Sequence, residues 1–121
     1  MADGVSAPKA SSGNGDRAFQ CLACRSLVTY SDRLLAIGGR KLHFFANPVG
    51  AQFEFYTFAD CPGAVAHPKL VEAHSWFPGY GWRLAFCRCC GEHLGWRYDA
   101  LLTKWRVRCF WGILASGLFC R

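Results

Sequence analysis

The chain is poor in acid, in methionine and in long apolar runs. Asp and Glu number 8 against 14 Lys and Arg, there is one Met, and charged residues make up 18% of the 121 positions. No stretch reaches the ~18 consecutive apolar residues that span a bilayer. The longest uncharged apolar run, Cys109 to Cys120, is interrupted by Gly112, Ser116 and Gly117, so no membrane association is expected. Helix signals are also few. Only Ser31 to Ile37, with Ser31 as an N-cap and Gly38 as a stop, could form a helix, and a marginal one at that length. Met1 to Asp16 lack the apolar stretch of a secretory signal. These absences predict a disordered tail over residues 1–18, a single domain over residues 19–121, and a cytoplasmic location in which thiols stay reduced.

What is present is apolar and aromatic. The chain is 52% hydrophobic and 16% aromatic, enough for a packed core and too little charged for a disordered protein. Short β-branched and aromatic runs alternate with Gly, Pro and Asn, the pattern of antiparallel strands and tight turns. Strands are predicted over Arg40 to Phe45, Gln52 to Phe58, Trp82 to Cys87, His93 to Tyr98 and Trp105 to Ile113, and the fold class is all-β. Asn47-Pro48-Val49-Gly50 and Pro78-Gly79 read as turns, with Pro presetting one backbone angle and Gly relieving the next. The formal charge of +6 is a mild basic bias, too small to predict a nucleic-acid partner.

Two Cys-x-x-Cys knuckles stand out among the 8 cysteines: Cys21 with Cys24, and Cys87 with Cys90. In each, a tight turn can aim two thiolates at one ion, and two knuckles complete a closed tetrahedral zinc site with ligands at ~2.3 Å. Cys89 could stand in for Cys90, but one residue between it and Cys87 makes an awkward knuckle. The rival reading is a redox Cys-x-x-Cys pair; two pairs in one small chain favour structural zinc. A four-cysteine site has no open coordination position, which argues against zinc catalysis. Four thiolates around Zn²⁺ add about −2, trimming the net charge further. Cys61 and Cys109 are expected to be small buried apolar residues.

Three of the 5 tryptophans cluster in His74-Ser75-Trp76-Phe77-Pro78-Gly79-Tyr80-Gly81-Trp82 and Leu94-Gly95-Trp96-Arg97-Tyr98. Strand alternation places Trp82, Leu84 and Phe86 on one face, and Leu94, Trp96 and Tyr98 on one face of the next strand. Trp82 and Trp96 would then lie side by side, with Trp76 as a third wall. Core packing and an aromatic cage explain this cluster equally well. A cage of indoles suits a flat polar ring or a methylated ammonium. Trp105 and Trp111 lack such clustering and are assigned to the core.

The two knuckles, the Asn47-Pro48-x-Gly50 turn, the segment His74 to Trp82, the run from Cys90 through His93, Gly95 and Trp96 to Tyr98, and Phe110-Trp111-Gly112 together resemble the thalidomide-binding CULT domain family of cereblon. The resemblance covers Phe19 to Leu118. It implies a β-tent of two antiparallel sheets pinned by one structural zinc, and a pocket made by Trp76, Trp82 and Trp96. Tyr98 would form the floor, Asn47 and Pro48 the loop over the mouth, and His74, Ser75 and Trp76 the polar edge. The implied ligands are glutarimides, with the His74 backbone carbonyl accepting the imide proton and the Trp76 backbone N–H, with the His74 side chain, donating to the carbonyls. Uridine-like pyrimidines share that edge. A small ring gives about micromolar affinity at ~1 kcal/mol per heavy atom. The expected partners are a cyclic imide, a pyrimidine nucleoside or a peptide ending in a cyclic imide. Eighteen residues before Phe19 cannot encode the additional domains of full-length relatives, so a ubiquitin-ligase adaptor is not expected.

Two other readings compete. A methionine sulfoxide reductase of the B type shares the knuckles and the His93-Leu94-Gly95 run, and Arg108-Cys109 superficially echoes its nucleophile segment, but Trp96 stands where that enzyme has a second His, and the Arg and Asn that flank its nucleophile are misplaced or absent around Cys109. A methyl-ammonium reader normally adds a carboxylate to its cage, and none lies between Ala73 and Phe86. The expectation is a binding module with no catalytic residue.

Overall fold

The computed structural model describes residues 16–120. Most of the expected tail, residues 1–15, lies outside the described residues. The described residues form nine strands: β1 (Ala18–Cys21), β2 (Leu27–Tyr30), β3 (Leu42–Ala46), β4 (Gln52–Phe58), β5 (Ala64–Ala66), β6 (Tyr80–Cys87), β7 (His93–Ala100), β8 (Cys109–Leu114) and β9 (Leu118–Cys120). They form two antiparallel sheets, a small one ordered β2-β1-β9 and a large one ordered β3-β4-β8-β7-β6-β5. The all-β expectation holds.

The large sheet carries apolar residues on both faces. Phe58, Ala85, Cys87, Trp111 and Ile113 pack with Phe19, Cys21 and Val28 of the small sheet. Phe55, Trp96, Tyr98 and Phe110 point the other way and are covered by Phe77. Both sets follow from strand alternation, and each buried aromatic contributes about 1.5–3 kcal/mol by leaving water.

Several sequence expectations need correction. Ser31 to Ile37 is not a helix. Only a single 3₁₀ turn, Ser31–Arg33, forms. The segment is drawn onto β4 instead, through the Leu34–Phe58 bridge and the Leu35 N–H donating to Thr57 O. Strand β8 starts at Cys109 rather than Trp105. Residues 101–108 form turns held by the Leu101 N–H on Gly79 O and by Tyr80 Oη on Val107 O at 2.7 Å. Trp105 is half-buried, stacked on Tyr80 at 6.3 Å, whereas Trp111 is in the core as expected.

Leu94 does not share a face with Trp96 and Tyr98. Ala85 pairs with Gly95 and Phe86 with His93, so Leu94 is an extra residue in a β-bulge, and its side chain joins the inter-sheet core. Gly95 permits this close approach: a Cβ there would sit 2.0 Å from Gly112 O on β8.

Candidate functional site

The knuckles sit where the two sheets meet. Cys21 ends β1 and Cys24 lies in the turn to β2; Cys87 ends β6 and Cys90 lies in the turn to β7. Their four sulfur atoms all lie within 4.8 Å of one another. Cys21 Sγ is 3.7 Å from Cys90 Sγ, and Cys24 Sγ is 3.7 Å from Cys87 Sγ. A tetrahedron with ligands at 2.3 Å from its centre has edges of about 3.8 Å. The donor set therefore fits one Zn²⁺, and each of the two short edges joins one knuckle to the other. Cys89 is not part of the cluster.

Sequence reasoning missed Ser26. The Cys24 thiol donates to Ser26 Oγ at 3.1 Å, and the same oxygen lies 3.3 Å from Cys87 Sγ. Hydrogen bonding from the Ser26 side chain and backbone holds Cys24 down to about 6, and once the thiol is ionised the hydroxyl becomes the donor. Burial pushes the Cys21 thiol up. A second-sphere hydroxyl beside the zinc thiolates orients them and spreads their charge. The remaining cysteines are dispersed: Cys61 is buried and its thiol pushed up by burial, Cys109 is half-buried opposite Asp99, and Cys120 is exposed on β9.

On the far face of the large sheet lies a cavity of about 240 Å³ lined by Asn47, Pro48, Phe53, His74, Trp76, Trp82, Trp96 and Tyr98. The structure thus brings together the three indoles, Tyr98, His74, Asn47 and Pro48. Ser75 is not in the lining. Its hydroxyl accepts from the Phe77 N–H at 3.2 Å and donates to Phe77 O at 3.1 Å, fixing the turn that carries Trp76. Phe53 was not anticipated, although it alternates with Phe55 along a predicted strand.

Burial grades inward from the mouth. His74 and Pro48 are exposed, Trp76, Trp82 and Phe53 are half-buried, Trp96 is 9% exposed and Tyr98 1%. Trp82 lies directly opposite Tyr98 across the β6–β7 ladder, while Trp96 has Leu84 opposite it. The direct indole neighbour of Trp96 is Trp76, edge-on at 5.1 Å and 84°. Two of these indoles are tethered by their N–H groups: Trp76 donates to Ala46 O at 3.0 Å and Trp82 to Ala73 O at 2.9 Å. His74 has φ +59°, a left-handed conformation uncommon for a residue with a Cβ. It reverses the chain between Ala73, which holds Trp82, and Trp76. Asn47 Oδ1 accepts from the N–H groups of Val49 and Ala51, closing the β3–β4 turn at the mouth.

Fold and site define a class: a small all-β domain whose two sheets are stapled at a four-cysteine zinc site and whose larger sheet carries an aromatic-lined cavity, a zinc-stabilised binding module. The chain belongs to the family described as "Yippee zinc-binding/DNA-binding /Mis18, centromere assembly", whose model matches residues 17–111. Within that frame it is similar to part of protein cereblon. It is 48% identical over 77 residues to protein cereblon of Gallus gallus, covering 64% of this chain and 17% of that protein. It is 29% identical over 105 residues to protein cereblon of Drosophila persimilis, covering 83% and 17%. Among solved structures, that entitled "Crystal Structure of Mis18 'Yippee-like' Domain" superposes with a TM-score of 0.60 at 16% identity, covering 88% of this chain and 95% of that one. This likeness establishes the fold. The chain spans 17% of the length of these curated relatives, so the expectation about a ligase adaptor, which rested on chain length, is not carried further. No helix among the described residues is long and apolar enough to cross a membrane.

Proposed function

We propose that the cavity is a receptor for planar cyclic imides, with glutarimide-type rings as the parent ligand, uridine-like pyrimidines as a second class, and peptides ending in a cyclic imide as macromolecular bearers of the same group. The observation that carries this is the lining: three indoles and a buried tyrosine around a space of about 240 Å³. That is below the roughly 300 Å³ at which drug-sized pockets begin, so the site suits a single ring. Indole walls give such a ring large apolar contact at fixed orientation. Backbone groups of the His74–Trp76 segment at the mouth supply the few polar contacts an imide edge needs, with the His74 carbonyl accepting and the Trp76 N–H donating. Exposure of His74 and Pro48 leaves room for a substituent to leave the cavity. The zinc site is structural and takes no part in ligand contact.

None of the lining residues is acidic, which disfavours a methylated ammonium, since a cation gains from a neighbouring carboxylate as well as from ring faces. His93, in the run shared with the reductases, turns its Nε2 to 2.9 Å from Gly95 O.

The test is a titration of zinc-loaded protein with glutarimide, uridine and a trimethyl-lysine peptide, read by tryptophan fluorescence and NMR. Saturable binding of glutarimide near micromolar Kd is expected. Binding of the trimethyl-lysine peptide alone would overturn the imide reading in favour of a methyl-ammonium reader. Thiol-dependent turnover of a methionine sulfoxide, lost in Cys109→Ser, would overturn the non-catalytic reading.

A further inference from the structure

The deepest residue of the cavity carries an uncommitted polar group. Tyr98 is 1% exposed and lines the cavity. Its ring is wedged edge-to-face against Phe77 at 4.8 Å and stacked on Phe110 at 5.0 Å and 19°. Both contacts are apolar. The Tyr98 hydroxyl makes no hydrogen bond with the described residues. Yet it is not among their fully enclosed unpartnered side-chain atoms, which comprise Trp105 Nε1 alone. The little surface Tyr98 retains therefore includes its hydroxyl, and the space it borders is the cavity. The Trp96 indole N–H is in the same position: unlike those of Trp76 and Trp82 it has no acceptor among the described residues, and it too is not fully enclosed. The inner end of an otherwise aromatic cage thus offers a hydroxyl that can both donate and accept.

This matters for which imide fits. A glutarimide presents its carbonyl, N–H, carbonyl edge to one side and three methylene groups to the other. With the imide edge held by the backbone at the mouth, the methylene edge is driven inward against the tyrosine hydroxyl. A buried hydroxyl that loses water and gains no partner is penalised. A ring of the same size and shape in which one methylene is replaced by N–H removes that penalty. Dihydrouracil is that ring. Its imide edge is the same, and its additional N–H lies on the inward side.

Resting on the imide reading above, we propose that Tyr98 is a specificity residue: its hydroxyl selects six-membered cyclic ureides with a free ring N–H, the dihydropyrimidine and pyrimidine bases, over all-carbon glutarimides. Burial pushes the Tyr98 phenol up, so the hydroxyl keeps its proton at neutral pH. The free base is favoured over the nucleoside, because a sugar on the ring nitrogen removes the donor.

The experiment measures Kd for glutarimide, dihydrouracil and 1-methyl-dihydrouracil against zinc-loaded wild type and Tyr98→Phe, with zinc content and melting temperature determined in parallel. Dihydrouracil is expected to bind wild type about tenfold more tightly than glutarimide, the equivalent of one buried hydrogen bond of ~1.4 kcal/mol. In Tyr98→Phe the ratio should collapse to about one or invert, at unchanged zinc content. The methylated ring should lose the advantage in wild type, a check that requires no variant to fold. Equal binding of dihydrouracil and glutarimide by wild type, the same ratio in both proteins, or undiminished binding of the methylated ring would each overturn the selectivity and leave the imide reading standing. Binding of neither ring by wild type would overturn the imide reading and this inference with it.

Discussion

Cys21 Sγ and Cys90 Sγ lie 3.7 Å apart although 69 residues separate them in sequence. One ends a strand of the small sheet and the other sits beyond the end of β6 in the large sheet, so an ion between them is a cross-link between sheets. Structural zinc contributes about 10–16 kcal/mol in small domains, comparable to or larger than the ~5–15 kcal/mol that separates a folded domain from its unfolded state. Chelation is therefore expected to unfold the domain cooperatively, seen as loss of strand signal in circular dichroism. Cys24→Ser and Cys90→Ser should each abolish stoichiometric zinc, whereas Cys89→Ser and Cys61→Ser should retain one zinc per chain by elemental analysis. Full zinc content in Cys90→Ser with loss in Cys89→Ser would reassign the fourth ligand.

The bulge at Leu94 predicts intolerance at the next position. A methyl group on Gly95 would land on Gly112 O, and backbone cannot yield as a side chain tip can. Gly95→Ala should cost at least about 3 kcal/mol, the upper end for overpacking, measured as a lowered urea midpoint. Gly91→Ala is the control: a Cβ there meets nothing within 4 Å, and only its φ of +79° is strained, so about 1–2 kcal/mol is expected. Equal costs would mean the close approach of β7 and β8 is not what fixes the bulge.

Local signals account for what the sequence disclosed. Each knuckle is four residues long, and the Phe77-Pro78-Gly79-Tyr80 turn closes on itself through the Tyr80 N–H and Phe77 O, with Gly79 at φ +90°. Such features are written in adjacent residues, which is why the zinc ligands and the Phe77–Tyr80 turn were legible. What was not legible depends on distant partners. The facing of Leu94 is decided by Gly112 on another strand. Strands β5 and β9 are three residues each and exist through pairing with β6 and β1. Trp105 resembles a strand residue until Tyr80 and Gly79 claim it. Phe53 was within reach, since it alternates with the core residue Phe55, but nothing local says which face of β4 carries a cavity.

The mouth turn gives a prediction about Asn47. Its Oδ1 is already committed to two backbone N–H groups of its own turn, so under the proposed imide reading it would act by holding the loop that Trp76 also reaches through Ala46 O. Asn47→Ala should weaken imide binding severalfold, with sharper exchange broadening of the Val49 and Ala51 amides in NMR. Asn47→Asp, which keeps the acceptor, should restore both. Failure of Asp to rescue would assign Asn47 a direct ligand contact.

On β3, His43 is buried between Phe55, stacked at 5.5 Å, and Phe77, edge-on at 5.3 Å, with Nε2 3.3 Å from Thr57 Oγ1. Burial holds its imidazole below the ordinary histidine value. The unfolded chain takes up this proton near pH 6.5 and the folded chain only at lower pH. The stability this histidine supports is thus complete above about pH 6.5 and lost as pH falls through that value toward its folded pKa. Thermal melts of zinc-loaded protein should show melting temperature falling from pH 7 to pH 5.5, and His43→Gln should flatten that part of the curve. An identical slope in the variant would place the acid sensitivity elsewhere.

Cage residues and zinc residues should be separable, because they lie on opposite faces of the large sheet. Trp82 and Trp96 belong to a packing cluster, largely aromatic, that contains none of the four cysteines. Truncation of Trp96, which is 9% exposed and packs on Phe55 and Phe53, should cost about 3–5 kcal/mol as for other buried aromatics. Half-buried Trp82 should cost less. In Trp82→Ala, imide binding is expected to fall below detection while zinc stays at one per chain and the chelator-induced transition remains cooperative. Trp96→Phe, which keeps an aromatic wall but drops the indole N–H, should retain the fold and bind more weakly than wild type. Loss of binding only in variants that also lose zinc would mean that the indoles are core residues and the cavity between them an accident of packing.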